Sequence, residues 1–226
     1  MKITWLGQAG LLFETGEVKI IIDPYLSDSV AKINPLNRRR VPVEKKFLEI
    51  APDVIVLTHN HLDHTDPDTL KYYLNENSGV TVLASKNAWS ESRKFGGNNN
   101  YVMFNRKTVW THGNIVFEAV YAEHSDDAAI GVIIYAENKT YYITGDTLYN
   151  KKIFEDLPKN IDFLFLPVNG VGNNMNFTDA QNFAEKVGAK NVVPLHFGLF
   201  DSLNPEDFKC RNKIIPKIYE EIEEKR

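Results

Sequence analysis

Three of the six histidines in the chain lie close together, in the segment Thr58-His59-Asn60-His61-Leu62-Asp63-His64. The segment directly follows a four-residue apolar run, Val54 to Leu57, which is too short for a helix and is typical of a buried strand. Imidazole nitrogens and carboxylate oxygens are common ligands of divalent metal ions. The cluster therefore predicts a metal site on the loop that leaves a strand.

The spacing inside the cluster indicates more than one metal position. If the chain is extended here, His59 and His61 point the same way, whereas Asp63 and His64 lie beyond the next bend. Two pairs of ligands could then face two neighbouring positions. The alternative is a solvated polar loop without a metal, for which a His-x-His-x-Asp-His run would be unusual.

Three more candidate ligands stand at or just beyond the ends of later apolar runs. They are His124, Asp146 and His196. Ligand sites of open, layered sheets form at the carboxyl ends of strands, so these residues could meet the histidine cluster at one rim. Taken singly, each histidine could be structural and Asp146 could be an ordinary turn residue.

The remaining pattern is a succession of short apolar runs separated by turn residues, with helices later in each half. A β-meander is predicted over the first 22 residues. A helix is predicted from Asp66, with Pro67 at its first position, to about Asn75. The spacing Thr178 to Gln181 suggests a capping box, and parts of the tail from Pro205 suggest further helix. Together these predict a mixed α/β protein whose sheet layers are covered by helices.

Composition narrows the classes of function. The 226 residues carry a net charge of −4, which argues against a protein that binds a nucleic-acid polymer. A single cysteine, Cys210, excludes an internal disulfide framework and a thiolate metal cage, and favours the cytoplasm. None of the apolar runs approaches the roughly 20 residues of a membrane-spanning helix.

The run His59-x-His61-x-Asp63-His64, followed by His124, Asp146 and His196, resembles the metallo-β-lactamase-fold hydrolases along nearly the whole chain. The resemblance implies one catalytic domain, residues 1–226, built as a four-layered αββα sandwich. It implies that His59, His61 and His124 hold one metal ion. It also implies that Asp63, His64 and His196 hold a second ion, with Asp146 between the two.

Shorter motifs resemble one branch of that superfamily, the L-ascorbate-6-phosphate lactonase (UlaG-like) branch. They are Ile22-Asp23-Pro24, Leu62-Asp63-His64-Thr65-Asp66 and Leu166-Pro167-Val168-Asn169-Gly170. This resemblance implies a cytoplasmic enzyme whose substrate is a small sugar lactone, with or without a phosphate.

Two metal ions with open coordination positions can bind water between them and supply hydroxide at neutral pH, which suits the opening of a lactone. We expect Asp63 and Asp146 to be essential to catalysis. Zinc, manganese and iron are all compatible with these ligands. Iron is the less expected ion, because the di-iron oxidoreductases of this fold, a further alternative, resemble this run but have glutamate where His61 stands. Hydrolysis of a small phosphodiester, or a metal-stabilised binding module without activity, are the alternatives.

Other residues are weaker candidates. Arg38, Arg39 and Arg40 could bind a substrate phosphate, although a solvated surface run or an oligomer contact is the simpler interpretation. Asn169 and Asn173 could hydrogen-bond to substrate from a polar loop. Asp23 could hold a metal-binding histidine or could be a simple turn residue. The expected partner is a small molecule, not a membrane or a nucleic-acid polymer, and a homo-oligomer is compatible with the sequence.

Overall fold

Two six-stranded β-sheets form the centre of the protein, seen in a computed structural model that describes residues 1–224. Each sheet keeps its strands in chain order. Sheet 1 contains β1 (Lys2–Gly7), β2 (Gly10–Thr15), β3 (Val18–Ile22), β4 (Val54–Leu57), β5 (Thr81–Ala84) and β6 (Asn100–Met103). Sheet 2 contains β7 (Val109–His112), β8 (Ile115–Tyr121), β9 (Ile130–Ala136), β10 (Lys139–Ile143), β11 (Phe163–Pro167) and β12 (Asn191–Leu195).

Each sheet begins as an antiparallel meander and continues with parallel strands. In sheet 1, β1 to β3 are antiparallel, and β3 to β6 are parallel. In sheet 2, β7 to β10 are antiparallel, and β10 to β12 are parallel. The parallel strands of a sheet all end at the same edge, so the loops that leave them share one rim. The predicted opening meander is confirmed.

Strand alternation separates the layers. In β3, Ile20 and Ile22 face the core between the two sheets, whereas Ile21 faces a second core on the outer side of sheet 1. The helices α2 (Pro67–Tyr73) and α3 (Lys86–Ser92) cover that outer side, for example through Leu70. The helix α4 (Phe177–Val187) packs on sheet 2. The order helix, sheet, sheet, helix is the predicted four-layered sandwich.

Local signals explain the helix ends in part. Asp66 caps α2 as predicted: its Oδ1 accepts a hydrogen bond from the backbone N–H of Asp68, and Pro67 is the first helical residue. The helix ends at Tyr73, earlier than predicted. The predicted capping box of α4 is wrong, because Asn176 is the cap and accepts the N–H of Asp179.

Some predictions for the periphery are also wrong. From Pro205 onward, the described residues contain a three-residue 3₁₀ turn, Pro205–Asp207, and no longer helix. Instead the tail runs along the outer strands of both sheets, where the N–H of Ile222 donates to Ile3 O and that of Ile214 donates to Val192 O. These contacts satisfy backbone groups of edge strands.

The sequence analysis missed β6, β7 and the short helix α1 (Ser29–Ile33). β6 and β7 are half-exposed edge strands, so they lack the continuous apolar run that marks a buried strand. No helix within residues 1–224 has the length and apolarity needed to cross a bilayer.

Gly145 follows β10 and lets the rims of the two sheets approach each other. Its φ is +61°, and a Cβ there would lie 2.8 Å from Ile130 O and 3.0 Å from the Cβ of Thr58. Thr58 follows β4, and its carbonyl oxygen accepts a hydrogen bond from the N–H of Ile130 at 3.1 Å. This close approach brings the loop after β4 against sheet 2.

We predict that Gly145→Ala lowers the free energy of unfolding by at least about 2 kcal/mol, through backbone strain and the close contacts together. Gly113→Ala is the matched control, because Gly113 has a φ of +56° with nothing within 4 Å of an added Cβ. Gly113→Ala should lower the free energy of unfolding by about 1 kcal/mol, from backbone strain alone. Urea unfolding of both variants in the presence of a chelator measures the difference, and equal losses would contradict the role of close approach.

Candidate metal centre

The loops at the shared rim bring together the polar residues singled out by the sequence. Asp23 follows β3, and the loop from Thr58 to His64 follows β4. From sheet 2, His124 follows β8, and two further residues, Asp146 and His196, follow β10 and β12. All seven candidate ligands therefore lie at strand ends that point to the same edge.

Three histidines form the first cluster. The ring centroid of His59 lies 4.7 Å from that of His61 and 4.4 Å from that of His124, and the last two are 4.7 Å apart. One ring nitrogen from each lies within 4.8 Å of the others. Two of the donors come from sheet 1 and one comes from sheet 2, so the cluster spans the two sheets.

Asp63, His64 and His196 form the second cluster, with donor atoms again within 4.8 Å of one another. Asp146 contacts this cluster through Oδ2, which lies 3.3 Å from His64 Nε2 and 3.2 Å from His196 Nε2. Asp63 Oδ2 lies 3.4 Å from His196 Nε2. The His64 ring also contacts the His59 ring at a tilt, with ring centroids 4.0 Å apart, so the two clusters are neighbours.

Several donor atoms of the two clusters are buried without a hydrogen-bond partner. Among the described residues, these are His59 Nε2, His64 Nε2, His196 Nε2 and Asp146 Oδ1. A buried polar atom without a partner costs on the order of 1–3 kcal/mol, so four such atoms in one place need a common explanation. Divalent cations bound by these nitrogens and oxygens would satisfy them, and the donor set therefore fits a metal centre.

The two clusters differ in electrostatics. Burial, reinforced by neighbouring His64, lowers the pKa of His59, so its ring is neutral. Burial also lowers the pKa of His124. A neutral imidazole is the form that binds a metal ion, so the lowered pKa values of His59 and His124 favour the metal-binding form of both rings.

The second cluster contains carboxylates that outweigh the effect of burial. Burial alone would lower the pKa of His196, but the nearby Asp146 and Asp63 raise it to about 9. Burial likewise opposes the charge on Asp146, yet His196 and His64 hold its pKa well below the usual range. Protons on His64 and His196 thus balance the carboxylates, and a cation would replace those protons.

Asp23 connects the two histidines at either end of the β4 loop. Its Oδ2 lies 2.9 Å from His64 Nδ1 and accepts the Thr58 hydroxyl at 2.5 Å, while Oδ1 accepts the Thr58 backbone N–H at 2.8 Å. Thr58 Oγ1 lies 3.0 Å from His59 Nδ1. Both rings therefore keep Nδ1 engaged and direct Nε2 toward the centre.

Gln8 and Asp126 contact the site, and the sequence analysis did not single them out. Gln8 Nε2 donates to Asp63 Oδ2 at 3.1 Å. The N–H of Asp126 donates to His124 Nδ1, and Asp126 Oδ2 accepts the N–H of Asn60. The sequence feature that could have indicated Gln8 is its position in the glycine-flanked turn Gly7 to Gly10. In the structure, Gln8 has a φ of +48°.

Asn169 and Asn173 differ in their surroundings. The Asn169 amide faces inward, with Nδ2 3.0 Å from His196 Nδ1, whereas Asn173 is exposed and has a φ of +66°. Asn174, from the same loop, donates to Asp146 Oδ2 at 2.8 Å. This loop therefore contacts the candidate ligands directly, and the Gly172 carbonyl oxygen lies 3.2 Å from His124 Nε2.

The arginine run is only in part available to a substrate. All three nitrogens of the Arg39 guanidinium donate within the protein, to Val41 O, Tyr25 O and the Tyr219 hydroxyl. Arg38 is exposed and lies 3.7 Å from Asp28, and Arg40 is exposed. Three of the five guanidinium N–H groups of Arg39 therefore already have partners within the protein.

The protein has two sheets with helices outside them, and histidines and aspartates lie together at the shared rim. These two features define the class of β-lactamase-superfamily metallo-hydrolase folds. The sequence profile described as "Beta-lactamase superfamily domain" matches residues 19–197. The chain therefore belongs to the β-lactamase superfamily.

More narrowly, the chain belongs to the UPF0173 metal-dependent hydrolase family. It is 31% identical over 210 residues to a UPF0173 metal-dependent hydrolase of Carboxydothermus hydrogenoformans, covering 87% of this chain and 84% of that protein. A relative from Desulforamulus reducens is 29% identical, covering 92% and 90%. The solved structure of Igni18, a metallo hydrolase from Ignicoccus hospitalis, has a TM-score of 0.76 at 20% identity, covering 98% and 97%.

We predict that Asp23→Ala lowers the free energy of unfolding of the metal-free protein by about 3 kcal/mol, because two donors of Thr58 and the His64 ring lose a buried acceptor. Asp68→Ala is the control, since Asp68 makes exposed ion pairs with Lys32 and Lys71 and should cost less than about 1 kcal/mol. Urea unfolding with chelator present measures both, and a small effect at Asp23 would contradict its supporting role.

Proposed function

We propose that the chain is a binuclear metal-dependent hydrolase that opens a small lactone. The observation that carries this proposal is the pair of donor clusters, with Asp146 against the second of them, and four donor atoms that are buried without a hydrogen-bond partner among the described residues. His59, His61 and His124 would hold one divalent cation, and Asp63, His64 and His196 would hold the other. Zinc and manganese both suit these donors, and iron is the less expected ion because His61 stands where di-iron relatives have glutamate.

When bound, two such cations polarise an ester carbonyl and lower the pKa of water so that hydroxide is available at neutral pH. The chain's own residues orient this chemistry. Asn174 donates to Asp146 Oδ2, whose other oxygen, Oδ1, is buried without a hydrogen-bond partner among the described residues, and Gln8 donates to Asp63 Oδ2. A site fixed in this way needs little reorganisation when charge develops on the substrate.

Asp63 is the carboxylate that a substrate can reach. Its side chain is 17% exposed, against 4% for Asp146. We propose that Asp63 takes the proton of the attacking water and returns it to the departing alkoxide. Asp146 would act in catalysis as a further carboxylate ligand that helps to hold the cations. Both residues are therefore expected to be essential.

The lactone substrate rests on the resemblance to the UlaG-like branch, which supports a sugar lactone with or without a phosphate. Arg38 and Arg40 stay candidates for contacting a phosphate, and Asn173 for contacting a hydroxyl. We further propose that residues 1–226 act as one catalytic domain in the cytoplasm. Its partner would be a small molecule and not a nucleic-acid polymer, which a net charge of −4 disfavours. A homo-oligomer is compatible with this function.

We predict that the purified protein binds two divalent cations per chain. His61→Ala should remove one cation and abolish turnover, because His61 belongs to the first cluster alone. His112→Ala should keep both cations and full turnover, since His112 lies in β7 outside the clusters. Metal analysis after exhaustive dialysis measures the stoichiometry, and a wild-type protein that retains one ion or none would contradict a binuclear centre.

We predict that the two-metal protein hydrolyses lactones in a panel that also contains phosphodiesters and thioesters. Turnover should disappear with chelator and return when zinc or manganese is added. Asp63→Asn should reduce kcat at least about 100-fold, as expected on loss of a general base. Activity on phosphodiesters alone would favour the phosphodiesterase alternative, and full activity in demonstrably metal-free protein would contradict the proposed mechanism.

A further inference from the structure

Two side-chain amides lie within hydrogen-bond distance of Nδ1 of His196. Asn169 Nδ2 lies 3.0 Å from His196 Nδ1, and Gln8 Nε2 lies 3.3 Å from it. An amide nitrogen only donates hydrogen bonds, so this arrangement aims two donors at one ring nitrogen. It would require Nδ1 to be bare and would place the ring proton on Nε2.

An unprotonated Nδ1 conflicts with the contacts of Nε2, the other nitrogen of the ring. Within residues 1–224, His196 Nε2 is buried without a hydrogen-bond partner, and it lies 3.2 Å from Asp146 Oδ2 and 3.4 Å from Asp63 Oδ2. To bind a cation, Nε2 must carry no proton. A neutral imidazole has one N–H, which must then be on Nδ1 and needs an acceptor there.

Gln8 cannot provide that acceptor without losing another contact. Its Nε2 also donates to Asp63 Oδ2 at 3.1 Å, and an ionised carboxylate can only accept. Turning this amide would place its oxygen against the Asp63 oxygen. The backbone of Gln8 is fixed as well, because its carbonyl oxygen accepts the indole N–H of Trp5 and the N–H of His196.

Asn169 has no such restriction. Among the described residues, its Oδ1 is buried without a hydrogen-bond partner, and the one hydrogen-bond contact of its Nδ2 is the His196 ring nitrogen. Turning the amide by 180° therefore breaks no other hydrogen bond and brings an oxygen to Nδ1. Amide nitrogen and oxygen positions are assigned from such networks.

We propose that Asn169 is a positioning residue whose side-chain oxygen accepts the Nδ1–H of His196 and thereby keeps Nε2 bare for a cation. This inference rests on the proposed second metal position. The two amides then have different roles: Gln8 donates a hydrogen bond to Asp63, and Asn169 accepts one from His196. It also gives Asn169 a role toward a metal ligand in place of the substrate contact expected from the sequence.

Substitutions at Asn169 test the direction of this hydrogen bond. Asn169→Asp keeps an acceptor and removes the donor, whereas Asn169→Leu removes both. Cobalt(II) titration followed by visible absorption reports the affinity of each metal position without requiring turnover. We expect Asn169→Leu to weaken the second cation by about 10- to 100-fold and Asn169→Asp to bind at least as tightly as wild type. Asn182→Leu, at an exposed position in α4, is the matched control and should bind like wild type.

Nitrogen NMR of histidine-labelled wild-type protein supplies a second readout that does not depend on a variant folding. We expect a proton on His196 Nδ1 in both the metal-free and the zinc-loaded protein. A bare Nδ1, or equal weakening by Asn169→Asp and Asn169→Leu, would overturn the proposal. A wild-type chain that binds one cation would contradict the binuclear proposal instead, and a metal-free spectrum recorded above pH 9, where a neutral His196 ring carries a single N–H, would still decide the role of Asn169.

Discussion

The buried carboxylate of Asp23 is the contact on which the geometry of the rim depends. It joins the end of β3 to the loop after β4 by accepting two hydrogen bonds from Thr58 and contacting His64 Nδ1. Because Thr58 also contacts His59, one side chain sets the direction of two candidate ligands. A carboxylate that is fully buried would be costly without these partners, so it and its neighbours must be in place together.

The same reasoning explains why the centre suits cations. Asp63 and Asp146 lie at the rim with two histidines whose protons balance their charge. Replacing these protons by divalent ions keeps the charges compensated and satisfies ring nitrogens that otherwise lack partners. An acidic protein can thus present a locally positive centre to an anionic or electron-rich substrate.

Much of the fold and of the candidate site was predictable from the sequence, because the patterns that indicate them are local in the chain. The β4 run, the cap at Asp66 and the histidine cluster all depend on residues close to one another in the chain. Edge strands such as β6 and β7 were not predictable, since their burial is partial and depends on a partner strand. Gln8 was missed for a related reason: its contact with Asp63 joins residues 55 positions apart and leaves no periodic pattern.

The rim also contains strained backbone that only the tertiary structure explains. Gln8, Asp23 and His196 have φ values of +48°, +43° and +64°, each of which costs on the order of 1–3 kcal/mol. All three contact candidate ligands or are one, and each stands where the chain leaves a strand. Each donor cluster, moreover, takes two residues from the β4 loop of sheet 1 and one from sheet 2. Geometry at the centre is therefore fixed by how the two sheets pack, and the apolar core between them is what holds the strained residues in place.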